Sequence, residues 1–207
     1  LYISEGYSYA IDMDMEKFFD TVNHSKLMEI LSRRIKDSKV ISLIHKYLNA
    51  GVVIEHKFES THQGVPQGGP LSPLLSNIML NEVDKGLTNR GHRFVRYADD
   101  MVILCKSKRG AERVKDSVSR FIEEQLFLRV NKDKTKVVYY IRIKFLGYSF
   151  YKIKDEYRFR IHPKSIVKLK DKVRKLTSRS NGWGYVKVKA RLSSFIKGWI
   201  NYYKYAD

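Results

Sequence analysis

Apolar and polar positions alternate along Tyr7-Ser8-Tyr9-Ala10-Ile11-Asp12-Met13-Asp14-Met15, which predicts a β-strand rich in strand formers. Side chains on a strand point alternately to its two faces, so Ala10, Asp12 and Asp14 share one face. Two carboxylates on one face of an apolar strand are costly to bury unpaired, and a metal or other cation would remove that cost. A second pair of β-prone runs, Phe94 to Tyr97 and Met101 to Cys105, flanks Ala98-Asp99-Asp100 and predicts a hairpin. Two-residue hairpin turns favour Asn-Gly or Asp-Gly because their central residues need positive φ. Glycine is absent here, so the adjacent acids answer a demand other than turn geometry.

Between and after these strands the apolar spacing becomes helical. Leu27, Leu31 and Ile35 follow Ser25 as a helix cap; Ile41, Ile44 and Leu48 follow Ser38, with Gly51 as the stop. Val52 to Glu59 reads as a short strand pair. The segment Gly64-Val65-Pro66-Gln67-Gly68-Gly69-Pro70-Leu71-Ser72-Pro73 holds three glycines and three prolines. It fixes an unusual backbone path open to close approach by a ligand or another backbone. Ser72 and Pro73 then predict a helix start, with Leu75, Ile78, Met79 and Val83 as its buried stripe and Gly91 as its end. Ala111, Val114, Val118, Phe121 and Ile122 define another helix. Leu126 to Tyr140 reads as β-like around the polar turn Asn131 to Thr135, and 145–151 with 157–161 reads as an aromatic hairpin turning at Lys154-Asp155-Glu156.

From His162 onward the character changes. Ile166, Leu169, Val173 and Leu176 make one helical stripe, and Leu192, Phe195, Ile196 and Trp199 another. Residues 162–207 carry 12 Lys and Arg against two acids, including Lys164, Lys168, Lys172, Lys175 and Arg179. We read this tail as a surface that tracks phosphates. The whole chain repeats the bias: 40 Lys and Arg against 22 Asp and Glu in 207 residues, a net charge of +18. Such an excess is the electrostatic footprint of a nucleic-acid binder; a ribosomal-type structural protein or a binder of anionic membranes are the plainer alternatives. Apolar residues at 43% and aromatics at 13% argue for a folded protein. No apolar run approaches the ~20 residues of a membrane span. Cys105 is the single cysteine, consistent with a reduced, cytoplasmic setting.

Several of these segments together, in this order, resemble reverse transcriptases, most closely those encoded by bacterial group II introns. They are Ile11 to Asp20, Gly64 to Pro73, Tyr97-Ala98-Asp99-Asp100, Asn131 to Thr135, Phe145-Leu146-Gly147-Tyr148, and Phe195 to Tyr203. The resemblance implies an α+β fold: a right-hand polymerase palm, an antiparallel sheet backed by helices, over residues 1–161 with finger-side elements at about 24–64. A basic helical thumb follows over 162–207. It implies two Mg²⁺ ions held by Asp14, Asp99 and Asp100, with Asp12 as a substitute. Phe19 falls where an aromatic packs under the nucleotide sugar; Gln67 and Gly68 match the nucleotide- and template-contacting loop; Lys134 matches a lysine near the triphosphate. Phe145, Leu146, Gly147 and Tyr148 match the primer grip.

The implied activity is RNA-directed DNA polymerisation for a mobile group II intron, together with splicing assistance as a maturase. The implied partners are an RNA template and primer, deoxynucleoside triphosphates, intron RNA and a DNA target, with no membrane and with room for a homodimer. Most of the family's fingers lie upstream of residues matched here, so we expect a fragment or part of a longer chain. An RNA-binding maturase or scaffold with an idle polymerase site is the alternative, and a metal-dependent nuclease a third.

Overall fold

The computed structural model describes residues 2–54, 57–154 and 156–207. They form two compact units, 1–138 and 139–207.

The first unit is built on a four-stranded sheet. In chain order its elements are β1 (Tyr9–Met13), α1 (Phe18–Thr21), α2 (His24–Arg34), α3 (Ser38–Leu48), β2 (Val52–Ile54), β3 (Lys57–Glu59), α4 (Ser72–Asn89), β4 (Arg93–Tyr97), β5 (Asp100–Cys105), α5 (Lys108–Leu126) and β6 (Lys136–Tyr139). The sheet order is β4-β5-β1-β6, and β5 pairs antiparallel with both β4 and β1. Ile11 and Met13 of β1 and Met101, Ile103 and Cys105 of β5 enter one core with Leu27 and Leu31 of α2, Leu75, Met79 and Val83 of α4, and Val118 and Ile122 of α5. The alternate residues Ala10 and Asp12 pair with Leu104 and Val102 and lie on the opposite face. The sheet therefore has one helix-covered face and one face that carries the acids. The expected strand pair at Val52–Glu59 is β2 with β3, antiparallel; residues 55 and 56 of that segment lie outside the described residues.

Four local expectations are corrected. Asn23, not Ser25, caps α2: its side chain accepts the Lys26 N–H at 2.9 Å. Asp37, not Ser38, caps α3, accepting from Lys39 and Val40. Ser72 is already helical, with Leu71 at the cap position, because its hydroxyl is turned back to the Pro66 carbonyl at 2.5 Å. Helix α5 runs through Leu126 and stops where Phe127 takes a left-handed φ of 55°, so the β-like reading holds only for β6.

The second unit holds a 3₁₀ turn at Tyr140–Arg142, the hairpin β7 (Tyr148–Ile153) with β8 (Glu156–Ile161), and helices α6 (Pro163–Leu176) and α7 (Tyr185–Tyr202). Asp155, expected in that hairpin's turn, lies outside the described residues. The hairpin forms a two-stranded sheet of its own. It packs with its own helices: Tyr148 donates to the Tyr202 carbonyl, and Tyr148 and Tyr203 rings lie 5.1 Å apart. Compactness thus divides the chain at 138/139, while the basic composition begins at His162.

Candidate active site

The end of β1 and the start of β5 are neighbours. Their register pairs Asp12 with Val102 and Met13 with Met101, so Asp14 follows the last paired residue of β1 and Asp100 precedes its partner on β5. In the hairpin, Tyr97 and Asp100 close the turn, and Ala98 and Asp99 form its tip. Ala98 carries the positive φ, 53°, that glycine would normally supply. Asp12 sits one strand repeat behind Asp14 on the same face.

Asp14 lies just past the strand, and its backbone is held on three counts. Its carbonyl accepts the Asn131 N–H at 2.9 Å and the Thr135 hydroxyl at 3.3 Å, and its N–H donates to Thr135 Oγ1 at 3.2 Å. The turn Asn131 to Thr135 is itself closed by the Thr135 N–H on the Asn131 carbonyl. That turn delivers Lys134, whose Nζ stands 3.7 Å from Asp14 Oδ1. Both side chains are solvent-exposed, so the pair is a weak one energetically; its significance is positional.

The Gly-Pro loop is bound to the turn after β1. Gly64 donates to the Val22 carbonyl at 2.7 Å and Val65 to the Phe19 carbonyl at 2.6 Å. His24, buried at the start of α2, reaches the Gly64 carbonyl with Nε2 at 2.6 Å. Gly64 has φ 87°, and a Cβ there would lie 2.8 Å from the Phe19 carbonyl oxygen. Gln67 donates its amide to Asp20 Oδ1 at 3.0 Å. Phe19, half-buried against Phe18, and Gln67 consequently line one groove. Gly68, at φ 81°, has open space where a side chain would project.

One residue that sequence reasoning passed over clamps the acidic turn. Arg96 points from β4 to the helix side, where Nε and one terminal nitrogen take both oxygens of Asp84 at 2.8 and 2.5 Å. The other terminal nitrogen donates to Asn77 Oδ1 at 2.9 Å and to the Ala98 carbonyl at 2.8 Å. Helix α4 thereby holds the turn that bears Asp99. Its one sequence signal is the register: Arg96 pairs with core-facing Met101.

In the second unit, Leu146 and Gly147 form a tight turn, both at positive φ, closed by reciprocal bonds between Phe145 and Tyr148. The Gly147 carbonyl accepts from the His162 N–H at 2.9 Å and Ser165 Oγ at 3.0 Å, and the Tyr202 hydroxyl donates to the Leu146 carbonyl at 2.9 Å. Lys164, Lys168, Lys172, Lys175 and Arg179 are all exposed.

Carboxylate oxygens at exposed strand ends are the donors a hard divalent cation takes, and Asp14, Asp99 and Asp100 fit it in kind. Among the described residues, no three His, Cys, Asp or Glu side chains are drawn together as a group that could hold a metal ion. The structure puts Asp14 just past the end of β1, Asp100 at the start of the neighbouring β5, and Asp99 in the adjoining turn.

A palm-type sheet with acids at adjacent strand ends, beside a Gly-Pro loop tied to the first strand's turn, defines a polymerase-like protein. Comparison makes the class specific. Residues 2–150 match the family "Reverse transcriptase (RNA-dependent DNA polymerase)", and residues 166–207 match "Group II intron, maturase-specific domain". The chain belongs to the reverse transcriptase family. It is 34% identical over 163 residues to protein YkfC of Escherichia coli, covering 62% of this chain and 43% of that one. It is 36% identical over 97 residues to the group II intron-encoded protein LtrA of Lactococcus lactis, covering 47% and 16%. Its fold is similar to apo telomerase from Candida tropicalis, with a TM-score of 0.58 at 21% identity over 72% of this chain and 35% of the telomerase. The chain thus spans less than half the length of these relatives. The family generally uses divalent metal ions.

Proposed function

We propose that this chain carries the polymerase palm and a nucleic-acid-binding thumb segment of a group II intron reverse transcriptase. It adds deoxynucleotides to a primer 3′ end on an RNA template and also binds intron RNA as a maturase. What supports this reading is that the ends of adjacent strands β1 and β5 carry Asp14 and Asp100, with Asp99 in the adjoining turn. Asp14, Asp99 and Asp100 would hold two Mg²⁺ ions, which when bound activate the 3′-hydroxyl and offset charge on the leaving pyrophosphate.

The chain's own residues supply position and charge, the main requirements of phosphoryl transfer. Lys134 sets an ammonium beside Asp14, on the side where a triphosphate would add negative charge. Phe19 and Gln67 line the groove in which a sugar and base would lie, and the Asp20–Gln67 bond fixes which way the amide faces. Template sequence is read by base pairing, so the protein needs backbone and A-form contacts, which the basic surface suits.

Primer extension on an RNA template with Mg²⁺ tests this. Asp14→Asn and Asp99→Asn are each expected to abolish extension while RNA binding persists; extension at the parental rate by both would refute the site. The match of 166–207 to the maturase-specific domain favours one second reading, an RNA-binding maturase with an idle polymerase site. Splicing assistance by Asp99→Asn, with no extension by the parent, would favour that reading.

A further inference from the structure

His24 opens α2 and is only 8% exposed, and it does not line the groove that Phe19 and Gln67 share. Its Nε2 stands 2.6 Å from the Gly64 carbonyl oxygen. A carbonyl only accepts, so Nε2 carries the proton and Nδ1 the lone pair. Nδ1 is buried and has no hydrogen-bond partner among the described residues. A buried polar atom left unpaired is a cost, and packing at the head of α2 would be served as well by an apolar side chain. What the imidazole adds is the bond to Gly64.

That bond falls where the loop is anchored. Gly64 and Val65 are buried, whereas Gln67 is exposed. The peptide between Gly64 and Val65 is held at both ends, its carbonyl by His24 and its N–H by the Phe19 carbonyl at 2.6 Å. A peptide plane tied on both sides cannot rotate without breaking a bond, and it sets the direction in which the chain leaves towards Gln67. The bond from Gln67 to Asp20 is solvent-exposed, so the placing of the loop falls to its buried end. Phe19 supplies both the accepting carbonyl and a ring in the groove, which ties the plane to the groove itself. We propose that His24 is a positioning residue for the incoming nucleotide: it touches no substrate, and through the Gly64–Val65 peptide it holds Gln67 where Gln67 meets the nucleotide. This deepens the polymerase reading and rests on it.

Single-nucleotide primer extension on an RNA template, with the deoxynucleoside triphosphate varied, separates KM from kcat. His24→Leu keeps the bulk and removes the donor; His24→Gln offers an amide N–H at about the reach of Nε2. His24→Leu is expected to raise KM about tenfold, the scale of one lost buried hydrogen bond, with kcat changed by less than about threefold. His24→Gln should bring KM back to within about threefold of the parent. In a Gln67→Ala background His24→Leu should add nothing further to KM, because the route to the substrate is already cut. Leu27→Ala, a truncation in the core on the same helix, lowers stability and should leave KM unchanged. An unchanged KM for His24→Leu, an equal rise for Leu27→Ala, or additive effects with Gln67→Ala would each overturn the assignment and leave the polymerase reading standing. Should His24→Leu not fold, the Nε2–H signal of the parent in ¹⁵N-edited NMR decides. A shift on adding Mg²⁺ and the matched nucleotide to the primer–template complex supports the coupling, and an unmoved signal overturns it. No extension by the parent would overturn both the assignment and the reading beneath it.

Discussion

Replacing Arg96 with methionine keeps the apolar stem and removes every donor that reaches Asp84, Asn77 and Ala98. The Arg96 side chain is 11% exposed and that of Asp84 23%, so the variant strands a largely covered carboxylate. Removing one partner of a buried pair costs about 3–5 kcal/mol. Water reaches part of Asp84, which places the cost at the lower end, about 3 kcal/mol. Replacing both partners by apolar residues is close to neutral in such cases, so Asp84→Leu with Arg96→Met should recover most of that loss. The turn behaves differently. Ala98 at φ 53° carries a strain of about 1–2 kcal/mol, and the Arg96 bond to its carbonyl offsets it. That bond is gone in the single and the double variant alike. Urea denaturation should therefore show stability lost and then restored, while primer extension falls by about 10- to 100-fold in both, the scale of an ångström-level misplacement. Extension at the parental rate by folded Arg96→Met would refute the clamp. A double variant no more stable than the single would refute the energetics of the pair.

Two further outcomes follow from the geometry. Gly64→Ala and Gly68→Ala both put a side chain at positive φ, but only Gly64 is crowded, with the Phe19 and Asp20 carbonyl oxygens at 2.8 and 3.0 Å. Gly68→Ala should cost about 1 kcal/mol and Gly64→Ala about 2–4 kcal/mol, since three loop hydrogen bonds must shift with it; equal shifts of the urea midpoint would contradict this. His162 Nδ1 accepts the Lys164 N–H at 3.1 Å and so caps α6. Its folded pKa is lowered, so the cap's contribution is full above the ordinary histidine value of 6.5. It declines as pH falls from there through the lowered value, where the folded imidazole protonates. Acidification through that window should cost the order of 1 kcal/mol. His162→Asn, which caps without titrating, should flatten that part of the stability profile; an unchanged profile would show that another group governs it.

What could be seen in the residues alone depended on whether the signal was local. Strand β1, the hairpin and the stripes of α2, α4 and α5 were legible because alternation and helical spacing are short-range patterns. The caps were misplaced where two capping residues stood close together, as Asn23 and Ser25 do, or where a distant carbonyl took the hydroxyl, as Pro66 takes that of Ser72. The end of α5 was invisible because Phe127, not glycine, adopts the left-handed turn. Arg96 was missed because Asp84 and Asn77 lie on α4, and no local pattern announces that pairing.

The placing of Asp12 and Asp100 on the face away from the helices follows from a consideration the chain states twice. A strand slipped by one residue presents its other side chains to each face. Such a slip of β1 or β5 would turn Asp12 or Asp100 under the helices and take Ile11 or Ile103 out of the core they now share. An unpaired carboxylate in that core costs several kcal/mol. The acids thus act on the fold before they act on a substrate: their aversion to the core favours the register that keeps Asp12 and Asp100 on the face away from the helices. Tyr97 and Asp100 closing the turn, and Arg96 holding its carbonyl from below, carry that register to the tip where Asp99 stands.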